Sequence, residues 1–221
     1  MIRILLVDDQ PLMRMGFRMI LSAEPDFAIV GEASDGQLAV GLTEELEPDV
    51  ILMDVRMPGT DGVEATRLIV QQRPQARVLI LTTFDLDEYA FSGLQAGASG
   101  FLLKDVPPAE LTAAIRAVAS GDAVVSPRIT RRLLDTFASS LNDGDAASDL
   151  QQDPRLAQLT QREHEVLEQV AAGLSNAEIA AALFVTEATV KTHITRTLSK
   201  LELRDRVQAV VFAYQQGIVR P

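Results

Sequence analysis

The chain has 221 residues, a formal net charge of −11 at pH 7 and no cysteine, which excludes disulfide bonds and thiolate metal sites. Hydrophobic residues make up 47% of the sequence, enough to bury the cores of two small domains. The apolar run after Arg3 spans only four residues, too few for a signal peptide or a membrane span. We therefore expect a soluble, cytoplasmic protein without membrane attachment.

The excess negative charge lies in the first part of the chain. Residues 1–150 contain 12 Lys and Arg against 23 Asp and Glu, whereas residues 151–221 contain eight of each. A local basic patch binds phosphates even when the whole chain is acidic. Such a patch is predicted near the end of the chain, where five basic residues cluster: Lys191, Arg196, Lys200, Arg204 and Arg206.

The first part of the sequence alternates short apolar runs with helical patterns. The predicted strands are residues 2–7, 28–31, 50–53, 78–81 and 99–103. Five helices are predicted between and after the strands. The first covers residues 11–24, the second is capped by Asp35 and ends at Leu46, and the last covers residues 108–120. The third begins at Asp61 and the fourth near Asp85. Five such units predict an α/β fold, a doubly wound five-stranded parallel sheet of the flavodoxin-like type.

The second part of the sequence is helical only. A short helix over 127–137 and a small, polar, acidic segment over 138–154 predict a mobile linker. Capping residues then predict four helices, which begin at Thr160, Ser175, Thr186 and Asp205. The second and third of them form a helix-turn-helix. The predicted domains are therefore 1–121, a linker with a short helix over 122–156, and an all-α four-helix domain over 157–221.

Polar side chains end four of the five predicted strands. Asp8 and Asp9 follow the first strand, Asp54 the third, Thr82 the fourth and Lys104 the fifth. The carboxyl ends of parallel strands share one edge of a sheet, where open α/β sheets bind their ligands. We therefore expect these five side chains to converge.

Clustered carboxylates repel one another, and a hard divalent cation such as Mg²⁺ relieves that repulsion. A carboxylate is also a nucleophile towards phosphorus, and the product is an acyl phosphate. Lys104 would neutralise oxygens of the transferred group. The alternative for each acid taken alone is a helix cap or a turn, but five matching positions favour a phosphoryl site.

A resemblance to the receiver domain of two-component response regulators is carried by LLVDDQPLMR, DVRMPGTDGVEAT, LILTTF and GFLLKD. A resemblance to the LuxR-type DNA-binding domain is carried by LTQREHEVLEQVAAGLSNAEIAAALFVTEATVKTHITRTLSKLELRDRVQAV. Together the segments resemble the NarL/FixJ family. They cover nearly the whole chain except the predicted linker.

The resemblance implies a role for each residue of the predicted pocket. Asp54 is the phosphoacceptor. Mg²⁺ is held by Asp9, Asp54 and the backbone carbonyl of Arg56, while Asp8 acts on the ion largely through water.

The resemblance also implies how the phosphoryl group is sensed. Lys104 pairs with the phosphoryl group, and Thr82 donates its hydroxyl to the same group. Phe101 is the switching aromatic, at a place often filled by Tyr. A plain core role is the alternative for Phe101.

The third helix of the second part has a polar face, which we predict to bind in the major groove of DNA. Lys191, Thr192 and Thr195 are the candidates for base contacts, whereas phosphate contacts are expected from Thr189, Arg196, Lys200 and Arg204. The alternative is a solvated charged face, which the preceding helix and turn disfavour. His164 and His193 show no metal-ligand spacing, and we interpret both as structural or polar surface residues.

The last predicted helix presents four apolar residues at helical spacing: Val207, Val210, Val211 and Tyr214. In the family the matching helix forms the dimer interface. Packing within the same domain is the alternative, and both uses are compatible.

The sequence thus predicts a response regulator that a sensor histidine kinase phosphorylates on Asp54. Phosphorylation would favour a homodimer that binds double-stranded DNA and regulates transcription. No enzyme activity is expected beyond self-catalysed phosphotransfer and autodephosphorylation. One alternative is a Mg²⁺-dependent phosphohydrolase with an aspartyl nucleophile, although such enzymes usually place two acids two positions apart on the first strand. The other is a DNA-binding protein with a vestigial pocket.

Overall fold

The computed structural model describes residues 1–82, 92–121 and 153–218. The chain forms two compact units, of which the first contains the described residues up to 121 and the second contains those from 153. The predicted helix near Asp85, apart from helical residues 92–95, lies outside the described residues. So do the helix predicted over 127–137 and the linker up to residue 152.

The first unit is a five-stranded parallel sheet with helices between the strands. The strands are β1 (Ile2–Val7), β2 (Phe27–Ala33), β3 (Val50–Asp54), β4 (Arg77–Thr82) and β5 (Gly100–Leu103). The named helices are α1 (Pro11–Ser22), α2 (Gly36–Leu46), α3 (Gly62–Gln72) and α4 (Pro108–Ser120). The predicted α/β fold is confirmed, and only the ends of some elements move by one to two residues, most of all in β2.

The strand order is β2-β1-β3-β4-β5. The chain therefore adds β2 on one side of β1 and then β3, β4 and β5 on the other, so the order of strand addition reverses between β1 and β3. All four strand pairs are parallel, and Val7 of β1 lies opposite Met53 of β3. The carboxyl ends of these two strands therefore open into the same crevice, which is where sheets of this order bind ligands. The register thus places Asp8 and Asp9 beside Asp54.

Both faces of the sheet are buried along most of β1, β3 and β4. On one face, Leu6, Leu52 and Leu81 belong to a core cluster that includes residues of α1 and α4. The alternate residues of the same strands, among them Leu5 and Met53, are also buried. Strands covered on both sides become nearly continuous apolar runs, which explains why β1, β3 and β4 stay apolar until the polar residue at the end of each.

Side-chain caps fix where several helices begin. Asp35 accepts a hydrogen bond from the amide of Leu38, at 2.9 Å, and Asp61 accepts one from the amide of Glu64, at 2.8 Å. Each carboxylate satisfies an amide that the first helical turn leaves without a partner. The two caps confirm the helix starts that the sequence predicts.

The second unit contains four α-helices, α5 (Gln161–Ala171), α6 (Asn176–Leu183), α7 (Glu187–Leu201) and α8 (Arg206–Gln215). Reciprocal capping boxes begin α5 and α6. A short 3₁₀ helix, Pro154–Gln158, precedes them, and Arg155 donates to the carbonyl of Leu201 at 2.6 Å. No helix of the described ranges is long and apolar enough to cross a membrane.

The turn between α6 and α7 is sharp. Phe184 ends α6 in the left-handed region, with a φ of 55°, and the amide of Val185 donates back to the carbonyl of Ala180 at 3.0 Å. Thr186 then caps α7 by accepting from the amide of Thr189 at 3.2 Å. The helix, turn and following helix confirm the predicted helix-turn-helix.

Gly62 should be essential for the position of Asp54. A Cβ atom at Gly62 would lie 2.0 Å from the carbonyl oxygen of Asp54, which is a backbone atom and cannot rotate away. We expect Gly62→Ala to lower the free energy of unfolding by about 1–3 kcal/mol in urea titrations of the full chain, because overpacking forces the backbone to move.

The matched control for Gly62 is Gly16, which lies inside α1. A Cβ atom there meets nothing within 4 Å, so Gly16→Ala should be neutral or stabilise by roughly 0.5–1 kcal/mol. Equal unfolding midpoints for Gly62→Ala and the unsubstituted chain would contradict the close contact at Asp54.

Candidate functional site

Three carboxylates meet at the carboxyl edge of the sheet. Each of Asp8, Asp9 and Asp54 offers an oxygen that lies within 4.8 Å of the others, as a cation site requires. Asp8 and Asp54 are buried and Asp9 is partly buried. The predicted convergence of these acids is therefore present in the fold.

An ammonium group lies between two of the acids. Lys104 Nζ is 2.6 Å from an oxygen of Asp8 and 2.8 Å from an oxygen of Asp54, and its side chain is only 3% exposed. A buried charge is stable only when it is paired and hydrogen-bonded. Lys104 therefore compensates part of the negative charge that the acids place in the pocket.

Burial raises the pKa of the Asp54 carboxyl above its ordinary value, and the negative charge of Asp8 adds to that effect. The hydrogen bond and the positive charge of Lys104 act in the opposite direction. The net effect makes the carboxylate a stronger base than an exposed aspartate. An additional positive charge at this position would favour its ionised form.

The oxygens of Asp8 and Asp9 differ in what they contact. One oxygen of Asp8 accepts from the amide of Gln10 at 2.8 Å, and the other accepts from Lys104. Asp9 Oδ1, by contrast, is buried and has no hydrogen-bond partner among the described residues. A buried oxygen without a donor fits a cation, and an all-oxygen set of this kind suits Mg²⁺.

The loop after β3 folds around Asp54. The amide of Arg56 donates to an oxygen of Asp54 at 3.4 Å, and the amide of Gly62 donates to the carbonyl of Val55 at 3.0 Å. The side chain of Arg56 points outwards and is exposed. These contacts keep the backbone of Arg56 beside the Asp54 carboxylate, where the resemblance expects a carbonyl ligand.

Thr82 and Phe101 lie on the neighbouring strands β4 and β5. Thr82 is the buried last residue of β4, and its carbonyl accepts from the amide of Lys104 at 2.7 Å. The Phe101 ring is fully buried in β5, opposite Ile80. The ring therefore occupies an inward position, which is compatible with a core role as well as with a switch.

The polar face of α7 is open to solvent. Four of the predicted DNA contacts are exposed, namely Lys191, Thr192, Thr195 and Arg196, and Thr189, Lys200 and Arg204 are partly exposed. On the opposite side, Val190, Thr197 and Leu201 are buried. The helix thus packs one face against its own domain and exposes the other.

The threonines of this face bond to their own helix. Thr192 donates to the carbonyl of Ala188 at 2.9 Å, and Thr195 donates to the carbonyl of Lys191 at 3.0 Å. Their outward surfaces are therefore mainly methyl groups. A methyl group makes apolar contact with the methyl of thymine, so these side chains can still discriminate bases.

Two of the predicted phosphate contacts are engaged within the domain. Lys200 Nζ lies 2.6 Å from the buried carboxylate of Glu163, and it also donates to the carbonyl of Gln158 at 3.0 Å. Arg204 pairs with Asp205 at 3.3 Å. Phosphate contacts by Lys200 and Arg204 stay predictions, and each would have to share or replace these bonds.

Three of the four dimer-interface candidates pack inside their own domain. Val207, Val211 and Tyr214 are buried, and burial raises the pKa of the Tyr214 hydroxyl. Only Val210 is partly exposed. Packing within the domain therefore accounts for most of the apolar stripe on α8.

The two histidines lie on α5 and α7. His164 is half-exposed and lies 3.4 Å from Glu168, one turn along the same helix. His193 is partly buried. Neither belongs to a metal-binding cluster among the described residues, so the structure is compatible with the predicted structural or surface role.

Some contacts of the site were missed in the sequence. Arg14 donates a hydrogen bond to the carbonyl of Asp8, and Glu163 accepts a hydrogen bond from Lys200 in addition to its helix-capping bonds. The capping pattern indicates only the local bonds of Glu163. Neither of these long-range hydrogen bonds leaves a signal in the sequence, because each depends on the tertiary fold.

Comparison with known proteins agrees with both units. The response regulator receiver domain family matches residues 4–116, and the family "Bacterial regulatory proteins, luxR family" matches residues 157–213. The transcriptional regulatory protein YxjL of Bacillus subtilis, described as uncharacterised, is 46% identical over 220 residues, which cover 99% of this chain and 98% of that protein.

Two further relatives cover nearly the full length. The nitrate/nitrite response regulator protein NarL of Escherichia coli K12 is 38% identical over 97% of this chain and 96% of that protein. The crystal structure of ChrA, a response regulator of a heme-sensing two-component system, matches with 37% identity and a TM-score of 0.52, over 99% of this chain and 98% of that one.

The chain therefore belongs to the NarL/FixJ family of two-component response regulators, in which a receiver domain is joined to a LuxR-type helix-turn-helix domain. It is a transcription regulator and not a classical enzyme.

Acid should destabilise the DNA-binding domain through Glu163. The hydrogen bond from Lys200 is the main cause that lowers the pKa of this buried carboxyl from 4.5 to about 2. Because the folded-state pKa lies below the unfolded one, the stabilisation is complete above about pH 4.5 and is lost as the pH falls towards 2.

We expect Glu163→Gln to lower the free energy of unfolding at pH 7 by about 1–3 kcal/mol and to flatten its dependence on pH in the acid range. Urea titrations of the full chain between pH 3 and 7 measure both effects. Glu165→Gln, on the same helix but half-exposed with a surface partner, is the control. A pH dependence that is unchanged by Glu163→Gln would contradict the role of this ion pair.

Proposed function

We propose that a sensor histidine kinase phosphorylates Asp54 in a Mg²⁺-dependent reaction, and that the phosphoryl group controls dimerisation and sequence-specific DNA binding. The observation that carries this proposal is the position of Lys104 Nζ, within 2.8 Å of carboxylate oxygens of both Asp8 and Asp54. A phosphoryl group on Asp54 would bring its oxygens to this same ammonium.

The transfer needs little from the protein besides position and charge. An oxygen of Asp54 attacks the phosphorus of a phosphohistidine, the new O–P bond forms as the N–P bond breaks, and the released imidazole nitrogen takes up a proton. Lys104 pairs with a phosphoryl oxygen as the phosphoryl group moves from the imidazole nitrogen to the carboxylate. The product is an acyl phosphate, which water can later hydrolyse.

The acids around Asp54 fit a magnesium site. Asp9, Asp54 and the backbone carbonyl of Arg56 would hold the ion, while Asp8, whose oxygens already accept from the protein, would act largely through water. When bound there, Mg²⁺ would supply positive charge for the oxygens of the transferred phosphoryl group. The buried oxygen of Asp9 supports this assignment.

The signal would leave the pocket through Thr82 and Phe101. The Thr82 hydroxyl would donate to the phosphoryl group, and Phe101 would be the aromatic that turns inward when Thr82 moves. Such a response is a shift between two conformations of the receiver, driven by the interactions that only one of them makes with the phosphoryl group. The position of Thr82 supports this route, because its carbonyl accepts a hydrogen bond from the amide of Lys104, and the buried ring of Phe101 is compatible with it.

The output is DNA binding by α7. Lys191, Thr192 and Thr195 would contact bases, and Thr189, Arg196, Lys200 and Arg204 would contact phosphates. A homodimer would present two such helices to two half-sites, and Val210 is the candidate of α8 that stays accessible to a partner. A protein with these activities would act in the cytoplasm.

The decisive test of the acceptor is intact mass after incubation with Mg²⁺ and acetyl phosphate. The unsubstituted chain should gain one phosphoryl group, and Asp54→Asn should gain none, because an amide nitrogen does not form the acyl phosphate. Chelation of Mg²⁺ should abolish the gain.

Asp61→Asn is the matched control, since Asp61 caps α3 outside the pocket, and it should be phosphorylated like the unsubstituted chain. A phosphoryl group on Asp54→Asn, or equal labelling without Mg²⁺, would refute the proposal. Steady release of phosphate from small phosphate esters would instead favour a phosphohydrolase.

A further inference from the structure

The guanidinium of Arg14 reaches the backbone of the acid pocket from α1. Arg14 Nη1 donates to the carbonyl oxygen of Asp8 at 2.5 Å. The amide of Asp8 donates to the carbonyl of Ala33 at 3.2 Å, and both carboxylate oxygens of Asp8 are engaged by Gln10 and Lys104. Every polar group of Asp8 is therefore held by the protein.

Arg14 is itself fixed by an ion pair. Its Nε lies 3.3 Å from one oxygen of Glu32, which is opposite Leu6 in the β1–β2 register. The other oxygen of Glu32 accepts from Nε of Arg18 at 2.6 Å. The Arg14 side chain is 17% exposed, whereas that of Arg18 is 53% exposed. Two arginines of one helix thus share a carboxylate, and only the inner one contacts the pocket.

The contact with Asp8 bears directly on Asp9. The carbonyl of Asp8 and the amide of Asp9 belong to one planar peptide unit. A charged donor on that carbonyl fixes the orientation of the plane, and with it the direction in which the Asp9 side chain leaves the backbone. Asp9 carries the buried oxygen that has no hydrogen-bond partner among the described residues.

We propose that Arg14 is a positioning residue for the metal site: through the Asp8 carbonyl it aims the Asp9 carboxylate at the cation, and Glu32 holds it in that geometry. The inference rests on the proposed magnesium site. It assigns no contact between Arg14 and the ion. Partners in the second layer of a metal site commonly govern affinity in this way.

A purely structural role would predict a different pattern. If Arg14 only fastened α1 to β2, Arg18 would be its equivalent, because both arginines bond to Glu32 on the same helix. Loss of either residue would then lower stability and leave cation affinity unchanged. The contact with Asp8 belongs to Arg14 alone of the two, so the pair provides a matched comparison.

The experiment is a Mg²⁺ titration of the full-length, ¹⁵N-labelled chain, without phosphodonor, followed by amide NMR shifts near Asp9. Arg14→Gln should raise the dissociation constant about tenfold, and Arg18→Gln should change it less than about twofold. Arg14→Lys should give an intermediate dissociation constant, because an ammonium lacks the planar guanidinium geometry that lets Arg14 bond to the Asp8 carbonyl and to Glu32 at once. Thermal unfolding of each variant is measured in parallel.

Equal dissociation constants for Arg14→Gln and the unsubstituted chain would overturn the inference, as would equal losses for Arg14→Gln and Arg18→Gln. If Arg14→Gln does not fold, Glu32→Gln replaces it, since that change removes the anchor and leaves Asp8 untouched. Glu32→Gln should then weaken binding more than Arg18→Gln does, and equal values would overturn the inference. If the unsubstituted chain shows no saturable shift, the magnesium site itself fails, which is a separate result.

Discussion

The receiver domain depends on the compensation of negative charge at the carboxyl edge of its sheet. Two unit charges 4 Å apart repel by about 4 kcal/mol at an effective dielectric constant of 20, and the oxygens of Asp8, Asp9 and Asp54 lie within 4.8 Å of one another. Lys104 compensates part of this charge and leaves a pocket that attracts a cation. Under the proposed function, the same imbalance would make Asp54 responsive, because a bound cation or a phosphoryl group would change which charges Lys104 must satisfy.

The fold and the site are predictable where local sequence carries the constraint. Apolar runs that end in polar residues define the strands, and parallel strands bring their ends to one edge, so the meeting of Asp8 with Asp54 follows from the order of the elements. Caps at Asp35 and Thr160 similarly fix helix starts, because their bonds lie within three residues. These features need no knowledge of the tertiary contacts.

The features that could not be predicted all involve tertiary partners. The phosphate contact of Lys200 stays a prediction, but its bond to the buried carboxylate of Glu163, 37 positions away, could not be predicted from the sequence. The interface role of Val207 also stays a prediction, and the burial of its side chain could not be read from the sequence. A helical pattern shows which residues share a face, and only the packing of the other helices decides what covers that face.

The central claim is that phosphorylation of Asp54 controls DNA binding by α7. The most direct test measures the affinity of the full chain for its promoter DNA, with and without acetyl phosphate and Mg²⁺. A DNA site selected in vitro with the phosphorylated chain provides the probe. The account predicts tighter binding by the phosphorylated chain, by about tenfold or more, and no response in Asp54→Asn. Equal affinities for the phosphorylated and unphosphorylated chains, at a salt concentration where binding is sequence-specific, would contradict it.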